Sequence, residues 1–366
     1  MDPGALIVAP EEWGWSGYLF SGADQQYGAA HGWSVLPDRA AHGGTDYLPW
    51  LLDQVRLASQ AAGRRLLDVF SVHYYPQGGE FGSDTSTTMQ LLRNRSTRSL
   101  WDPNYLDQSW IGDRVRLIPR LKAWVASRYP DTRVAITEYN WGAETHINGA
   151  TAQADVLGIF GREGLDLAAR WTTPPSTSPT YKAIKLYRSY DGRKSAFGDI
   201  SVRASTPDPD KVSAFAALRS GDGALTVMVV NKQMTGATPV TITLSNFLSL
   251  ASAEAWQLTA ANAIARLADA GITNALITLS VPPQSITLVV ARPGPLALRG
   301  VGMTGGAEFT LEALGQPGST CVLERSRDLR DWHALVTNVV PAGGTLPWRV
   351  AANDSNVAFY RAHATP

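Results

Sequence analysis

One glutamate has the setting of a catalytic carboxylate. Glu138 directly follows the β-branched apolar run 134–137 and opens the stretch EYNWG. Hydrolysis of a glycosidic bond needs two carboxyl groups, one to protonate the leaving oxygen and one to attack the sugar carbon or activate water. Glu138 suits the attacking role, and Tyr139 and Asn140 offer donors that could keep it ionised and contact a substrate. A structural ion pair or a charge at a solvated strand end is the alternative.

Aromatic residues accompany the other apolar runs in the first half of the chain. The stretches are EEWGW at 11–15, HYYPQGG at 73–79 and RW at 170–171. His73, Tyr74 and Tyr75 are candidates for lining a cleft, because imidazole can bond sugar hydroxyls while rings pack on pyranose faces. A buried histidine in a tyrosine cluster is the alternative. Further candidates for substrate contact are Glu12, Trp13, Trp15, Trp141 and Trp171, with Trp141 as the expected stacking platform and core packing as the alternative for each tryptophan.

Alternating strands and helices are predicted to carry these residues. Apolar runs predict four buried strands at residues 5–9, 66–72, 134–137 and 165–169. Amphipathic stripes predict three helices, from Leu48 to near Gly63, at 111–125, and at 152–163 with Gly164 as the left-handed C′ residue. Strands that alternate with helices are typical of parallel β/α structure.

We expect the strand ends to meet at one face of an eight-fold β/α barrel, where the carboxyl ends of the strands build the active site. Periodicity alone also allows a doubly wound open sheet. Against that fold, no G-x-G-x-x-G opens a helix, and GRKS at 192–195 lacks the leading glycine of a phosphate-binding loop.

The second half of the chain has a different pattern. Period-2 strands at 225–230, 240–244, 277–281 and 286–290 predict an antiparallel sandwich, and ARPGP at 291–295 is interpreted as a linker. We therefore predict an α/β plus all-β chain with half of a (β/α)8 TIM barrel at 1–195, a β-sandwich at 196–292 and a small β module at 293–366. A passive spacer or anchoring appendage is the preferred role of that module, with carbohydrate binding through Trp332 or Trp348 as the alternative.

Composition narrows the class of partner. The 366 residues include 32 Lys and Arg against 32 Asp and Glu, so no net field favours nucleic acid or an anionic membrane.

The single cysteine, Cys321, excludes an intrachain disulfide and is expected to be a packed residue. The six histidines lack H-E-x-x-H spacing, so no metal ligands can be named. Arg93, Arg95 and Arg98 are expected to serve packing or ion pairing.

Five ordered blocks between residues 2 and 171 resemble glycoside hydrolase family 44. They are DPGALIVAPEEWGW, RLLDVFSVHYYPQ, RNRSTRSLWDPNYLDQSWI, AITEYNWG and HINGATAQADVLGIFGREGLDLAARW. The resemblance implies a retaining endo-β-1,4-glucanase or xyloglucanase, a β/α barrel carrying a β-sandwich, and a β-1,4-glucan or xyloglucan as substrate. It makes Glu138, the glutamate of TEYN, the nucleophile. It implies that no cofactor is required, and it is compatible with a structural calcium ion.

The resemblance also implies an acid/base glutamate in an Asn-Glu-Pro motif upstream of DPGALIVAPEEWGW. No Asn-Glu-Pro occurs in this sequence. Because the sequence opens only a few residues before what resembles the fifth strand of the family, we expect an amino-terminal truncation that places the acid/base, four β/α units and any signal peptide outside the chain. Glu12, Glu80 and Glu144 are weak substitutes for the acid. Exposed barrel edges are expected to favour self-association, with little or no hydrolysis by this chain alone.

The complete protein is expected to be secreted or periplasmic, although no signal peptide is recognisable in this sequence. Two functions stay open at this point. The first is a glycoside hydrolase, and the second is a non-catalytic remnant or glycan-binding protein that keeps an aromatic cleft.

Overall fold

A computed structural model describes residues 4–245, 250–294, 296–304, 308–315, 318–341, 344–351 and 358–365. The helices are α1 (Trp15–Leu19), α2 (Gly22–His31), α3 (Pro37–Ala41), α4 (Tyr47–Ala62), α5 (Thr87–Ser96), a 3-10 turn (Thr97–Leu100), α6 (Leu117–Arg128), α7 (Ile147–Glu163) and α8 (Pro179–Arg188). The strands of the first half are β1 (Val8–Glu12), β2 (Val69–Tyr74), β3 (Arg133–Tyr139) and β4 (Leu167–Arg170).

The remaining strands are β5 (Ile200–Val202), β6 (Val212–Leu218), β7 (Leu225–Asn231), β8 (Thr238–Thr243), β9 (Leu250–Leu258), β10 (Ile264–Arg266), β11 (Ile272–Thr273), β12 (Leu276–Val281), β13 (Ser285–Pro293), β14 (Ala297–Thr304), β15 (Glu308–Leu314), β16 (Thr320–Ser326), β17 (His333–Val339), β18 (Thr345–Ala351) and β19 (Phe359–Thr365). Two compact units divide the chain. The first comprises Met1–Lys185, Thr206–Ser213 and Thr259–Ala263, and the second comprises Leu186–Ser205, Ala214–Leu258 and Ile264–Pro366.

A four-stranded parallel sheet forms the centre of the first unit. Its strand order is β1-β2-β3-β4, with helices in each connection, as the alternating pattern predicts. None of the helices in the described ranges is long and apolar enough to span a membrane.

Two of the three predicted helices end at their expected glycines. Helix α4 ends at Gly63, and α7 ends at Gly164, both in the left-handed conformation that glycine adopts without steric cost. Helix α7 starts five residues before the predicted start, because the His146 side chain accepts a hydrogen bond from the backbone N–H of Asn148 and caps its first turn. Helix α6 begins at Leu117, later than the predicted residue 111.

The prediction of four buried strands is wrong for the outer two. Strand β2 is buried except at His73, and β3 is buried through its centre. Strands β1 and β4 are the edges of this sheet, and Val8 and Leu167 are 37% and 43% exposed. An edge strand has a neighbour on one side only, so its apolar residues receive less cover.

Antiparallel sheets make up the second unit. A six-stranded sheet has the order β10-β9-β13-β7-β6-β5, and a three-stranded sheet has the order β11-β12-β8. The four predicted period-2 strands correspond to β7, β8, β12 and β13. Strand β7 is buried at every residue, so its apolar run reflects cover on both faces.

The carboxy-terminal strands form two more three-stranded sheets, β14-β15-β18 and β17-β16-β19, whose residues share a hydrophobic core. Cys321 is fully buried in that core, which confirms its packing role. Trp348 lies in the same core and donates from its indole N–H to Asn338 Oδ1 at 3.0 Å, so it is not a carbohydrate platform. The Arg361 guanidinium lies 4.3 Å from the centre of the Trp332 ring.

Candidate functional site

The carboxyl ends of the parallel strands bring the predicted residues of the first unit together. His73 of β2 is paired in register with Glu138 of β3, and Tyr139 of β3 is paired with Arg170 of β4. The register shifts immediately before His73 and again between Ile136 and Tyr139. Such bulges redirect side chains at strand ends, and they are common next to active sites.

Glu138 is held through one of its two carboxylate oxygens. Its Oε2 accepts a hydrogen bond of 2.8 Å from the Tyr75 hydroxyl and lies 3.3 Å from His73 Nδ1. In the part of the chain that the structure describes, no donor bonds to Oε1. The nearby Arg170 is paired with Glu144 at 2.7 Å, so Glu138 is not one half of an arginine ion pair. This arrangement leaves Oε1 available for a reacting atom.

Tyr139 and Asn140 do not supply the predicted donors to Glu138. The Tyr139 hydroxyl is buried and accepts a bond of 3.0 Å from Gln153. Asn140 accepts from the Gly142 backbone N–H at 2.7 Å and from Arg170 at 2.8 Å. Tyr139 therefore ties β3 to α7, and Asn140 ties the loop after β3 to Arg170 of β4.

Glu11 belongs to this site, although sequence reasoning selected Glu12. Glu11 Oε2 lies 3.1 Å from His73 Nε2, and it also accepts a bond of 2.5 Å from Thr137 Oγ1. Burial raises the pKa of Glu11, but the hydrogen bonds from Thr137, His73 and Ser71 outweigh that effect and hold the pKa below its ordinary value. No signal in the sequence separates the two glutamates, because the choice depends on the left-handed backbone of Glu11, whose φ is 62°.

Glu12 lies beside α1 and is absent from the residues that line the cleft. A Cβ atom at Gly17 would stand 1.9 Å from Glu12 Oε1, so the glycine permits this close packing. The same oxygen accepts a bond of 3.1 Å from the Trp13 backbone N–H. Burial raises the pKa of Glu12. The structure therefore does not place Glu12 among the groups positioned for substrate contact.

A cleft of about 560 Å³ opens above Glu138. Its lining consists of Trp13, Gly14, Trp15, Ser16, Gly17, Gln25, His73, Tyr75, Gln77, Phe81, Trp110, Glu138, Asn140 and Trp171. Trp13 and Trp171 are 73% and 54% exposed, which suits them to stacking on a ligand. Sequence reasoning missed Trp110 and Phe81, which are also exposed. Trp110 donates from its indole N–H to Gln77 at 3.1 Å.

The structure corrects the predicted substrate contacts of Trp141 and Tyr74. Trp141 is 2% exposed, and its indole N–H donates to Ser96 Oγ at 3.0 Å, so the prediction of a stacking platform is wrong. Tyr74 is also buried, and its ring centre lies 5.8 Å from that of Trp141. For Tyr74 the alternative of core packing therefore holds, whereas His73 and Tyr75 line the cleft.

The other carboxylates near the site have structural partners. Glu80 is buried and accepts a bond of 2.7 Å from the Gly78 backbone N–H, and Glu144 is paired with Arg170. Glu138 is the carboxylate among the lining residues of the cleft. The structure thus presents a nucleophile-like carboxylate, aromatic rings and hydrogen-bond donors in one concave site.

Comparison with known proteins agrees with this chemistry. A family model, glycoside hydrolase family 44, matches residues 1–78. A family 44 xyloglucanase of Paenibacillus polymyxa, solved with xyloglucan, is 33% identical with a TM-score of 0.71, covering 80% of this chain and 58% of that chain. CelM2, a bifunctional glucanase-xylanase protein from a metagenome library, is 69% identical with a TM-score of 0.79, covering 80% of this chain and 56% of that chain. These matches support the assignment of the chain to glycoside hydrolase family 44.

A curated relative extends the match. Endoglucanase A of Paenibacillus lautus is 36% identical over 305 residues, which is 80% of this chain and 42% of that protein. The chain spans about half the length of the relatives it matches. The combination of a β/α unit with antiparallel sheets agrees with the barrel and sandwich of family 44 enzymes.

Family 44 glycosidases need no cofactor. Within the ranges that the structure describes, no group of three or more His, Cys, Asp or Glu side chains could hold a metal ion.

The contacts of Arg93 and Arg98 agree with the predicted packing and ion-pairing roles. Arg93 is buried and donates to backbone carbonyls, and Arg98 pairs with Asp102 and Asp210.

Proposed function

We propose that this chain carries the nucleophile and part of the substrate cleft of a retaining endo-β-1,4-glucanase or xyloglucanase, with Glu138 as the nucleophile. The observation that supports this most directly is the carboxylate of Glu138, fixed through Oε2 by Tyr75 and His73 at a cleft with exposed tryptophans. In a retaining reaction the free oxygen bonds to the anomeric carbon while the bond to the leaving oxygen breaks. Water later hydrolyses the glycosyl ester.

The cleft chemistry supports a neutral polysaccharide as substrate. Trp13, Trp110 and Trp171 expose ring faces, and Gln25 and Gln77 offer amide groups for sugar hydroxyls. Relatives named as an endoglucanase and a xyloglucanase point to glucan and xyloglucan. Since these polymers are extracellular, we place the whole protein outside the cytoplasm.

The proton donor is proposed to come from residues other than those of this cleft. A retaining pair of carboxyl groups stands about 5–5.5 Å apart, and one member must carry a proton. The carboxylate of Glu11 accepts three side-chain hydrogen bonds, so it is ionised and cannot serve as the acid. We place this acid on further β/α units that complete an eight-stranded barrel with β1–β4. We accordingly expect little hydrolysis of ordinary glucans by this chain alone.

A substrate that needs no proton donor tests the nucleophile directly. An activated cellobioside with a dinitrophenolate leaving group, and with fluorine replacing the hydroxyl next to the anomeric carbon, should label Glu138. The carboxylate oxygen forms the bond to carbon, and the electron pair of the broken bond departs on the phenolate, which is stable without protonation. The fluorine slows hydrolysis of the ester, so the adduct can be located by mass spectrometry.

The expected result is one adduct per chain, on the peptide that contains Glu138, and no adduct in Glu138→Gln. Glu163→Gln is the matched control, because Glu163 pairs with Arg162 at the end of α7, away from the strand ends. Labelling at another carboxylate, or none in a folded wild-type chain, would overturn the assignment of Glu138.

A glycan-binding protein without hydrolysis is the second candidate. It is favoured by the single carboxylate among the residues that line the cleft. Calorimetric titration with cellohexaose and xyloglucan oligosaccharides, beside a reducing-sugar assay on xyloglucan, separates the two. Binding without any labelling of Glu138 supports this second candidate and contradicts the first.

A further inference from the structure

Glu11 occupies a position that links three neighbouring strands. Its Oε1 accepts a bond of 2.9 Å from Ser71 of β2, and its Oε2 accepts one of 2.5 Å from Thr137 of β3. The Glu11 backbone N–H also donates to Ser71 Oγ at 3.2 Å. Because the left-handed backbone is uncommon for a residue other than glycine, this conformation marks a position that the surrounding contacts determine.

The His73 ring connects Glu11 to Glu138. Nε2 lies 3.1 Å from Glu11 Oε2, and Nδ1 lies 3.3 Å from Glu138 Oε2. The ring is mostly buried, with 15% of its side chain exposed. The register shift just before His73 breaks the regular β2–β3 ladder, so backbone pairing alone does not fix the ring. Glu11 supplies the contact on the side of the ring that faces away from Glu138.

The two contacts of the ring differ in kind. Nε2 forms a hydrogen bond with Glu11, whereas Nδ1 is a close neighbour of the Glu138 carboxylate at 3.3 Å. Because both nitrogens belong to one rigid ring, the bond at Nε2 also sets where Nδ1 lies. Without Glu11, the ring loses that bond and is free to turn away from Glu138.

The other groups around His73 do not replace Glu11. Glu12 of β1 is bonded to the Trp13 backbone N–H, and the Tyr18 hydroxyl of α1 donates to the His73 backbone carbonyl. Tyr75 donates to Glu138 and leaves the ring nitrogens to the two carboxylates. The two side chains that contact the ring nitrogens are therefore Glu11 and Glu138.

We propose that Glu11 is a positioning residue that fixes the orientation of the His73 ring and, through that ring, the carboxylate of Glu138. This inference rests on the proposed role of Glu138 as nucleophile. Glu11 does not contact the reacting atoms in this scheme. It holds the histidine that, together with Tyr75, aims the free oxygen of Glu138 toward the cleft.

The test measures His73 and Glu138 separately in the full chain. Proton–nitrogen correlation spectra of isotope-labelled histidine report which ring nitrogens are protonated, and His73→Gln assigns the signal among the six histidines. The second measurement is the rate constant for labelling by the activated fluoro-cellobioside. In Glu11→Gln we expect the ring-nitrogen signals of His73 to shift, because the acceptor of the bond at Nε2 changes, and labelling to slow roughly ten- to a hundred-fold. Glu163→Gln should change neither quantity.

Each outcome decides the inference. An unchanged His73 spectrum in folded Glu11→Gln overturns it, and so does a changed spectrum with an unchanged labelling rate. If Glu11→Gln does not fold, Thr137→Val removes one donor to Glu11 while keeping the side-chain shape, and an unaltered His73 spectrum there overturns the inference. If the wild-type chain is not labelled, the proposed function fails, and the link between Glu11 and His73 is judged on the spectra alone.

Discussion

The Tyr75 hydroxyl donates a hydrogen bond of 2.8 Å to Oε2 of Glu138. Burial raises the pKa of Tyr75, and the Glu138 carboxylate raises it further, so the phenol keeps its hydrogen at neutral pH. The bond joins the ends of two neighbouring strands, β2 and β3. Its geometry leaves the second carboxylate oxygen open to the cleft.

Replacing Tyr75 with phenylalanine should impair the nucleophile without disturbing the fold. The change removes a hydrogen bond to a charged group, worth about 1.5–3 kcal/mol, which corresponds to a roughly ten- to hundred-fold slower labelling of Glu138. The rate constant for labelling by the activated cellobioside checks this. Tyr181→Phe is the matched control, because Tyr181 lies on α8 and is 37% exposed. Equal labelling rates for wild type and Tyr75→Phe would show that the bond has no role.

Trp110 is predicted to contribute to glycan binding. Its ring is 62% exposed at the cleft, and its indole N–H is held by Gln77. Trp110→Ala should weaken the affinity for cellohexaose by about 1–2 kcal/mol, or roughly five- to thirty-fold in Kd, because the stacking surface is lost. Calorimetric titration measures the change. Trp332→Ala, in the carboxy-terminal module, should leave the affinity unaltered, and an equal loss in both variants would contradict a specific role for Trp110.

Much of the site could be predicted from the sequence because parallel strands end at one edge. His73, Glu138 and Trp171 each follow an apolar run, and the topology brings all three to the cleft. The ends of α4 and α7 were equally predictable, because helices commonly end at a glycine in the left-handed conformation. Gly63 and Gly164 both adopt that positive φ. Here local patterns and tertiary structure agree, so periodicity was sufficient.

The errors occur where the backbone departs from regular geometry. A left-handed residue and a bulge at the end of β1 put Glu11, rather than Glu12, against His73. Trp141 is buried because the loop after β3 packs tightly. A Cβ at Gly142 would lie 2.3 Å from the Gly82 carbonyl oxygen, so this turn accepts only glycine. Trp110 lies outside the helices and strands, where no periodicity predicts its direction.

Arg93 is predicted to stabilise the loops around the site. It is fully buried, and its guanidinium donates to the carbonyl oxygens of Glu80 at 2.9 Å and Trp141 at 2.8 Å, and to Asn148 Oδ1 at 2.8 Å. Arg93→Met leaves these acceptors unsatisfied and should lower the free energy of unfolding by about 3–5 kcal/mol. The midpoint of urea unfolding, followed by tryptophan fluorescence, reports the loss. Arg95→Met removes one bond to Gln108 and should shift the midpoint far less. Similar shifts would refute the assignment.

Glu80 should make stability depend on pH in the direction opposite to that of a salt-bridged carboxylate. Burial raises its pKa above the ordinary 4.5, despite the bond from the Gly78 backbone N–H. A raised pKa means that the folded chain binds the proton more tightly, so the contribution of Glu80 to stability is full below its unfolded pKa and is lost as pH rises through the folded pKa. Glu80→Gln, which can still accept from Gly78, should therefore exceed wild type in unfolding free energy at neutral pH, with the difference shrinking as the pH falls toward 4.5. Urea unfolding of both chains across this range, with Glu163→Gln as the control, measures the difference. If the difference in unfolding free energy between the two chains grew as the pH fell, the surroundings would stabilise the Glu80 carboxylate, and the prediction would be wrong.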